Sequence, residues 1–207
     1  MGQVVECKGI FSSLSPTVII VASMLYVISA VIAALGNTFC LIVFWQPSQR
    51  SKSNKILTSL ALSDCLVGYV CFPLAIWLIN DDSGISETRC WIERIYGPFT
   101  LWMAGCSTCS ILFVAFERYL LIARSHGQYN KLTDRKVTLI IVFYWTLCFA
   151  VSFLCVMDIA VYTFVRLFNF LWNVIFLCVS YYYIWKAVRQ SHRRIASNVG
   201  GSQQVGL

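Results

Sequence analysis

The sequence is poor in charge. Only 12% of its 207 residues are Asp, Glu, Lys or Arg, against about 25% in a typical soluble domain. It holds 4 prolines and 2 histidines, and no Asn-x-Ser/Thr sequon occurs, so N-glycosylation is not expected. His-Glu-x-x-His and Gly-x-Ser-x-Gly are absent and no His/Cys cluster completes a metal site, which removes the motif-based grounds for a metalloenzyme or serine hydrolase. No internal repeat is visible, which counts against a transporter built from repeated halves. Neither enzyme activity nor a cofactor is expected. At 58% hydrophobic residues the chain is also far from the disordered class.

What the chain has is long apolar runs. Pro16 to Trp45 carries no charge, and Lys55 to Ile79 carries only Asp64 inside it. Cys90 to Ala123 bears its charges near its ends, Glu93 and Arg94 at one and Glu117 and Arg118 at the other. Val137 to Met157 and Leu167 to Trp185 are uncharged. A helix crosses the hydrocarbon core with about 20 apolar residues. The expected fold is therefore an all-α membrane protein, a bundle of five transmembrane helices at about 16–45, 55–79, 90–123, 137–157 and 164–189. Residues 1–15 form an N-terminal segment, 16–194 the bundle, and 195–207 a polar tail expected to be disordered. The first span is expected to act as an uncleaved signal anchor, because its apolar run is too long for a signal peptide.

Lys and Arg divide unevenly between the two sides of such a bundle. Twelve fall near Arg50–Lys55, Arg118–Lys136 and Lys186–Arg194, and four, Lys8, Arg89, Arg94 and Arg166, fall on the other side. The positive-inside rule then places the N-terminus outside and the C-terminus in the cytoplasm. The net charge of +7 reads as topology and as attraction to anionic lipid. A nucleic-acid partner is not expected, since the basic residues are split among three loops. Of the ten cysteines, eight fall within the expected spans, Cys155 among them, and only Cys7 and Cys90 lie outside. At most one outer disulfide, Cys7 with Cys90, is suggested. Trp77, Trp91 and Trp102 toward one boundary, with Trp45 and Trp185 toward the other, read as aromatic belts.

Asp64 is the one ionisable residue deep within a span. A carboxylate there costs a few kcal/mol unless partnered inside the bundle. It fits either a polar or cation site shared with Asn37 and a third-span serine, or a hydrogen-bonding hub that holds helices together. Glu117, Arg118 and Tyr119 close the third span. They suit an ordinary interfacial charge pair or an electrostatic latch whose guanidinium a partner can capture.

In this order Asn37 in ALGNTFCLIVFW, Asp64 in LALSD, Cys90, Glu117-Arg118-Tyr119 in LFVAFERYLLIAR and Trp145 resemble the rhodopsin-like (class A) G-protein-coupled receptors. The resemblance runs over residues 16–194. It implies that Arg118 contacts the G protein, and that Tyr181 steadies that arginine once the receptor is activated. It implies sodium at Asp64 and Ser107 with Asn37, a packing role for Trp145, and ligand contacts near Thr100 and Ala104. No aspartate stands at Thr100, eighteen residues before Arg118, which disfavours a biogenic amine.

Several positions depart from the family pattern. Cys90 lies 28 residues before Arg118, nearly one helical turn more than the family spacing. Asp158–Arg166 holds no cysteine, and Asn173 stands where a fifth-span proline is usual. These departures resemble the melanocortin, lysophospholipid and cannabinoid branch. The sequence also shows no sixth or seventh span after Arg194. The expected function is a plasma-membrane receptor coupled to a heterotrimeric G protein, represented by its first five helices. The alternative is a non-signalling membrane protein that associates with full-length receptor chains.

Overall fold

The computed structural model describes residues 15–46, 51–81, 86–123, 132–154 and 159–203. Among them five helices are long and apolar enough to cross a membrane. Helix α1 is Pro16–Trp45, α2 is Lys52–Asn80, α3 is Glu87–Ala123, α4 is Asp134–Leu154 and α5 is Ile159–Gln203. No strand occurs among the described residues.

Local chemistry sets where the helices begin. Pro16 occupies the first turn of α1, where its missing N–H costs nothing. Ser51 caps α2 by accepting from the Asn54 backbone N–H at 3.2 Å, so α2 starts at Lys52, one turn before the expected 55. Ser86 accepts from the Arg89 N–H at 3.2 Å and draws α3 back to Glu87. Thr133 does the same for α4 through Lys136 N–H at 3.4 Å, with Asp134 in the first turn complementing the dipole.

The far ends differ from expectation too. Helix α4 is described as far as Leu154; Cys155, expected within the fourth span, lies outside the described residues. Helix α5 continues to Gln203, through most of the segment expected to be disordered from 195. Extending an existing helix costs far less than nucleating one, so the long apolar part templates the polar turns after it.

Helix α3 is central and packs against α2, α4 and α5, while α1 packs against α2. Two glycines set close approaches. A Cβ on Gly68 would lie 2.6 Å from the Ala34 backbone nitrogen, and one on Gly105 would lie 3.0 Å from Cys148 Sγ. Gly68 sits in a π-helical turn, Val67–Cys71, that interrupts α2 just before Pro73. The wider turn accommodates a proline that cannot donate to the preceding turn. Near the end of the bundle rich in Lys and Arg, Ile56, Phe113, Val137 and Tyr144 form a buried cluster. Elsewhere α1 and α5 present Ile28, Ile32, Phe39, Phe168, Phe170 and Leu171 outward, as helices facing lipid do.

Candidate functional site

The polar groups of α2 and α3 form two separate clusters. In the first, Ser107 Oγ donates to Asp64 Oδ1 at 2.9 Å. The second-span carboxylate and the third-span serine are thus brought together. Asn37 is not joined to them by a hydrogen bond: its Nδ2 donates to the Ala33 carbonyl of its own helix at 2.9 Å. Thr38 instead bonds α1 to α2 here, its Oγ1 lying 3.1 Å from Tyr69 Oη and 3.6 Å from Cys65 Sγ, and farther along Asn80 Nδ2 of α2 donates to Ser23 Oγ of α1 at 2.9 Å. An ionised carboxylate has about four acceptor positions, and one hydroxyl fills one of them. The remaining oxygen sites, with one negative charge, have the donor chemistry of a small hard cation. Asp64 and Ser107 therefore fit sodium by atom type. Among the described residues no cluster of three or more His, Cys, Asp or Glu forms a metal site.

The second cluster was not legible in the sequence. Tyr144 Oη lies 2.7 Å from Ser59 Oγ and 2.8 Å from Ser110 Oγ, and Trp145 Nε1 donates to Ser59 Oγ at 2.8 Å. Ser110 Oγ also reaches the Cys106 carbonyl at 2.8 Å. Ser59, Ser110 and Tyr144 are buried, and together they tie α2, α3 and α4 through neutral groups. Trp145 packs against α3. Its ring meets Trp102 edge to face at 5.9 Å, and its carbonyl accepts from Trp102 Nε1 at 3.1 Å. Trp102 is accordingly a packing residue between α3 and α4. Trp91 and Trp185 do lie exposed near opposite ends of the bundle, with Arg94 and Arg189 over their rings at 5.5 Å and 5.1 Å.

At the basic end, Glu117 and Arg118 are turned apart. Consecutive helical residues do not face one another. Glu117 is 1% exposed, and its Oε1 accepts from Ser53 Oγ of α2 at 2.5 Å. Arg118 is exposed. The side chain of Tyr119 lies outside the described residues. Tyr181 is on α5 and exposed. Lys55 Nζ and Asp134 Oδ2, 3.5 Å apart, bridge the starts of α2 and α4, an exposed pair worth at most about 1 kcal/mol.

At the opposite end, Thr100 is half-buried and its hydroxyl donates to the Gly97 carbonyl at 2.7 Å. Ala104 is exposed. Cys90 is disulfide-bonded, and its partner, like Cys7, lies outside the described residues. Beside it is a buried arginine that charge counting treated only as a topology marker. Arg89 donates through Nε to Glu93 Oε1 at 3.4 Å, through Nη1 to the Asp81 carbonyl and to Asp81 Oδ2 at 3.4 Å, and through Nη2 to the Leu78 carbonyl at 3.1 Å. This joins the end of α2 to the start of α3. Its sequence signal is the Arg-x-x-x-Glu spacing that places opposite charges on one helix face.

Five apolar helices, a carboxylate bonded within the bundle and an exposed arginine at the basic end define an α-helical multi-span membrane protein with a polar core. Residues 36–166 match the family model for the 7 transmembrane receptor (rhodopsin family). The chain belongs to this family. It is 30% identical over 133 residues to the probable G-protein coupled receptor 45 of Mus musculus, covering 63% of this chain and 34% of that protein. Similarity to the high-affinity lysophosphatidic acid receptor of Xenopus laevis is 29% over 133 residues, with 63% and 34% covered. The histamine H2 receptor of Cavia porcellus is 24% identical over 198 residues, with 84% and 54% covered. The chain thus spans about a third to a half of the length of these relatives.

Proposed function

We propose that the chain supplies the first five helices of a plasma-membrane receptor that passes an external signal to a heterotrimeric G protein. The N-terminus lies outside and the C-terminus in the cytoplasm. The observation that carries this reading is the exposed Arg118 beside a buried Glu117, at the end of the bundle where Lys and Arg concentrate. A guanidinium there offers five donors to the carbonyls or carboxylates of a docking peptide. Tyr181 on α5 and Tyr119 complete that face. Asp64 and Ser107 hold sodium, with Asn37 contributing. Thr100 and Ala104 flank the ligand, and Cys90 pairs with Cys7. A lysophospholipid-like ligand fits better than an amine, because Thr100 stands where an amine receptor carries its aspartate.

The test is nucleotide exchange on a G protein by a chimera joining residues 1–194 to the last two spans of a relative. A charge-assisted hydrogen bond contributes about 1.5–3 kcal/mol, so Arg118→Ala should lower exchange by about tenfold or more while surface expression is retained. Unchanged exchange would remove Arg118 from the coupling face.

One observation favours a second reading. Among the residues of the apolar stretch of α5, Thr163–Tyr183, whose burial is described, none is buried, which suits lateral association with a full-length receptor chain. Recovery of the 207-residue chain cross-linked to a co-expressed relative, with no exchange activity in any chimera, would favour it.

A further inference from the structure

The end of α2 carries a role that its own sequence leaves unfilled. The last carbonyls of a helix have no intrahelical donor and bear partial negative charge, so a cation beside them is stabilising. The last turn of α2 has no basic residue. Arg89, from the first turn of α3, supplies one. Its Nη2 donates to the Leu78 carbonyl at 3.1 Å, and its Nη1 donates to the carbonyl of Asp81, the residue that caps α2. Nε of the same guanidinium is held by Glu93 Oε1 at 3.4 Å, one turn farther along α3. The fork is planar and rigid, and acceptors on two helices grip it at each of its three nitrogens.

Cys90 is the next residue. Its N–H donates to the Ser86 carbonyl at 3.1 Å in the same turn, and its sulfur is in a disulfide. The terminal turn of a helix frays unless something ties it down, and here the tie is the neighbouring guanidinium. We propose that Arg89 is a positioning residue for the Cys90 disulfide. By capping α2 from α3, it fixes the turn from which Cys90 projects, and so favours the bridge over the free thiols. The proposal concerns the bridge and not the identity of its second cysteine. It therefore stands or falls apart from the Cys7 assignment and from coupling through Arg118.

The bridge is titrated in glutathione buffers on the purified 207-residue chain in detergent. Reduction of one bridge consumes two glutathione thiols and yields two cysteine thiols and one oxidised glutathione. The reduced fraction at Cys90 is read by alkylation and mass spectrometry. Arg89→Met should raise the equilibrium constant for reduction by roughly tenfold or more, the scale of one lost charge-assisted hydrogen bond. Arg89→Lys keeps the charge without the fork and should fall between Arg89→Met and wild type. Asn80→Ala is the control for general loosening, because it removes bonds to Ser23 Oγ and the Ile76 carbonyl at the same end of α2. It should lower the melting temperature and leave the constant unchanged. Arg89→Met removes the cation between two largely buried carboxylates, which endangers folding. Combining it with Asp81→Asn and Glu93→Gln removes those charges as well, and the same rise is expected. An unchanged constant in the combined variant, or an equal rise in Asn80→Ala, overturns the proposal.

Discussion

Single hydroxyl groups decide much of the chemistry inside this bundle. Tyr144 Oη stands between Ser59 and Ser110, at 2.7 and 2.8 Å, where the two serines are themselves 3.4 Å apart. Tyr144→Phe would leave both serines with weakened partners in a buried place. The expected loss is about 1–3 kcal/mol, visible as a lower melting temperature in detergent, and an unchanged melting temperature would reduce the cluster to incidental proximity. Asp64 makes a different prediction, because it carries charge. If it holds sodium with Ser107, replacing choline chloride by sodium chloride should stabilise the folded chain by about 1.4 kcal/mol at ten times the dissociation constant. Asp64→Asn should abolish that difference. Equal stability in the two salts, before and after the substitution, would leave Asp64 as a hydrogen-bonding joint and nothing more.

Legibility at this scale followed charge and rarity. Asp64 stood out because carboxylates are costly in a span, and the structure gives it the expected serine. The Ser59, Ser110 and Tyr144 cluster did not stand out, since serine and tyrosine are ordinary in spans and only packing decides which of them meet. The direction of Glu117 was equally hidden. Adjacent positions on a helix are about 100° apart, so a pair that is contiguous in sequence can serve two different surfaces.

At the scale of the helix, the runs without charge located all five spans, because length and apolarity are properties of the chain itself. Their ends were set by groups outside the runs: Ser51, Ser86 and Thr133 moved three starts toward the N-terminus. The π turn at Val67–Cys71 has no signal in hydropathy, although Gly68 and Pro73 mark the place. Gly68 gives the sharpest prediction for an element. Its missing side chain lets α2 meet the Ala34 backbone directly, so Gly68→Ala should overpack the contact and cost about 1–3 kcal/mol. Gly36 serves as the control, since a Cβ there meets nothing within 4 Å. Gly36→Ala should be neutral or stabilising by up to about 1 kcal/mol. Equal melting shifts for the two would mean that the α1–α2 approach is not limiting.

For the molecule as a whole, orientation is the property that composition expresses most directly. A sequon introduced within residues 1–14 should be glycosylated in cells, and one introduced within residues 124–131 should not. The reverse pattern would invert the proposed topology. The outer side should also hold the Cys90 bridge, and non-reducing peptide mapping should recover Cys90 joined to Cys7. Recovery with Cys155 would reassign the bridge while leaving the orientation intact.

Arg89 changes what the charge asymmetry amounts to. Buried between Asp81 and Glu93, it belongs to a group of three charges whose formal sum is negative, so one of the four basic residues on the proposed outer side contributes no positive surface. In the proposed orientation this cluster sets a net negative charge on the outer side, opposite the exposed Arg118. A cell interior held negative stabilises that arrangement by about 2.3 kcal/mol per elementary charge per 100 mV. The resting potential therefore holds the proposed orientation continuously, after insertion as well as during it.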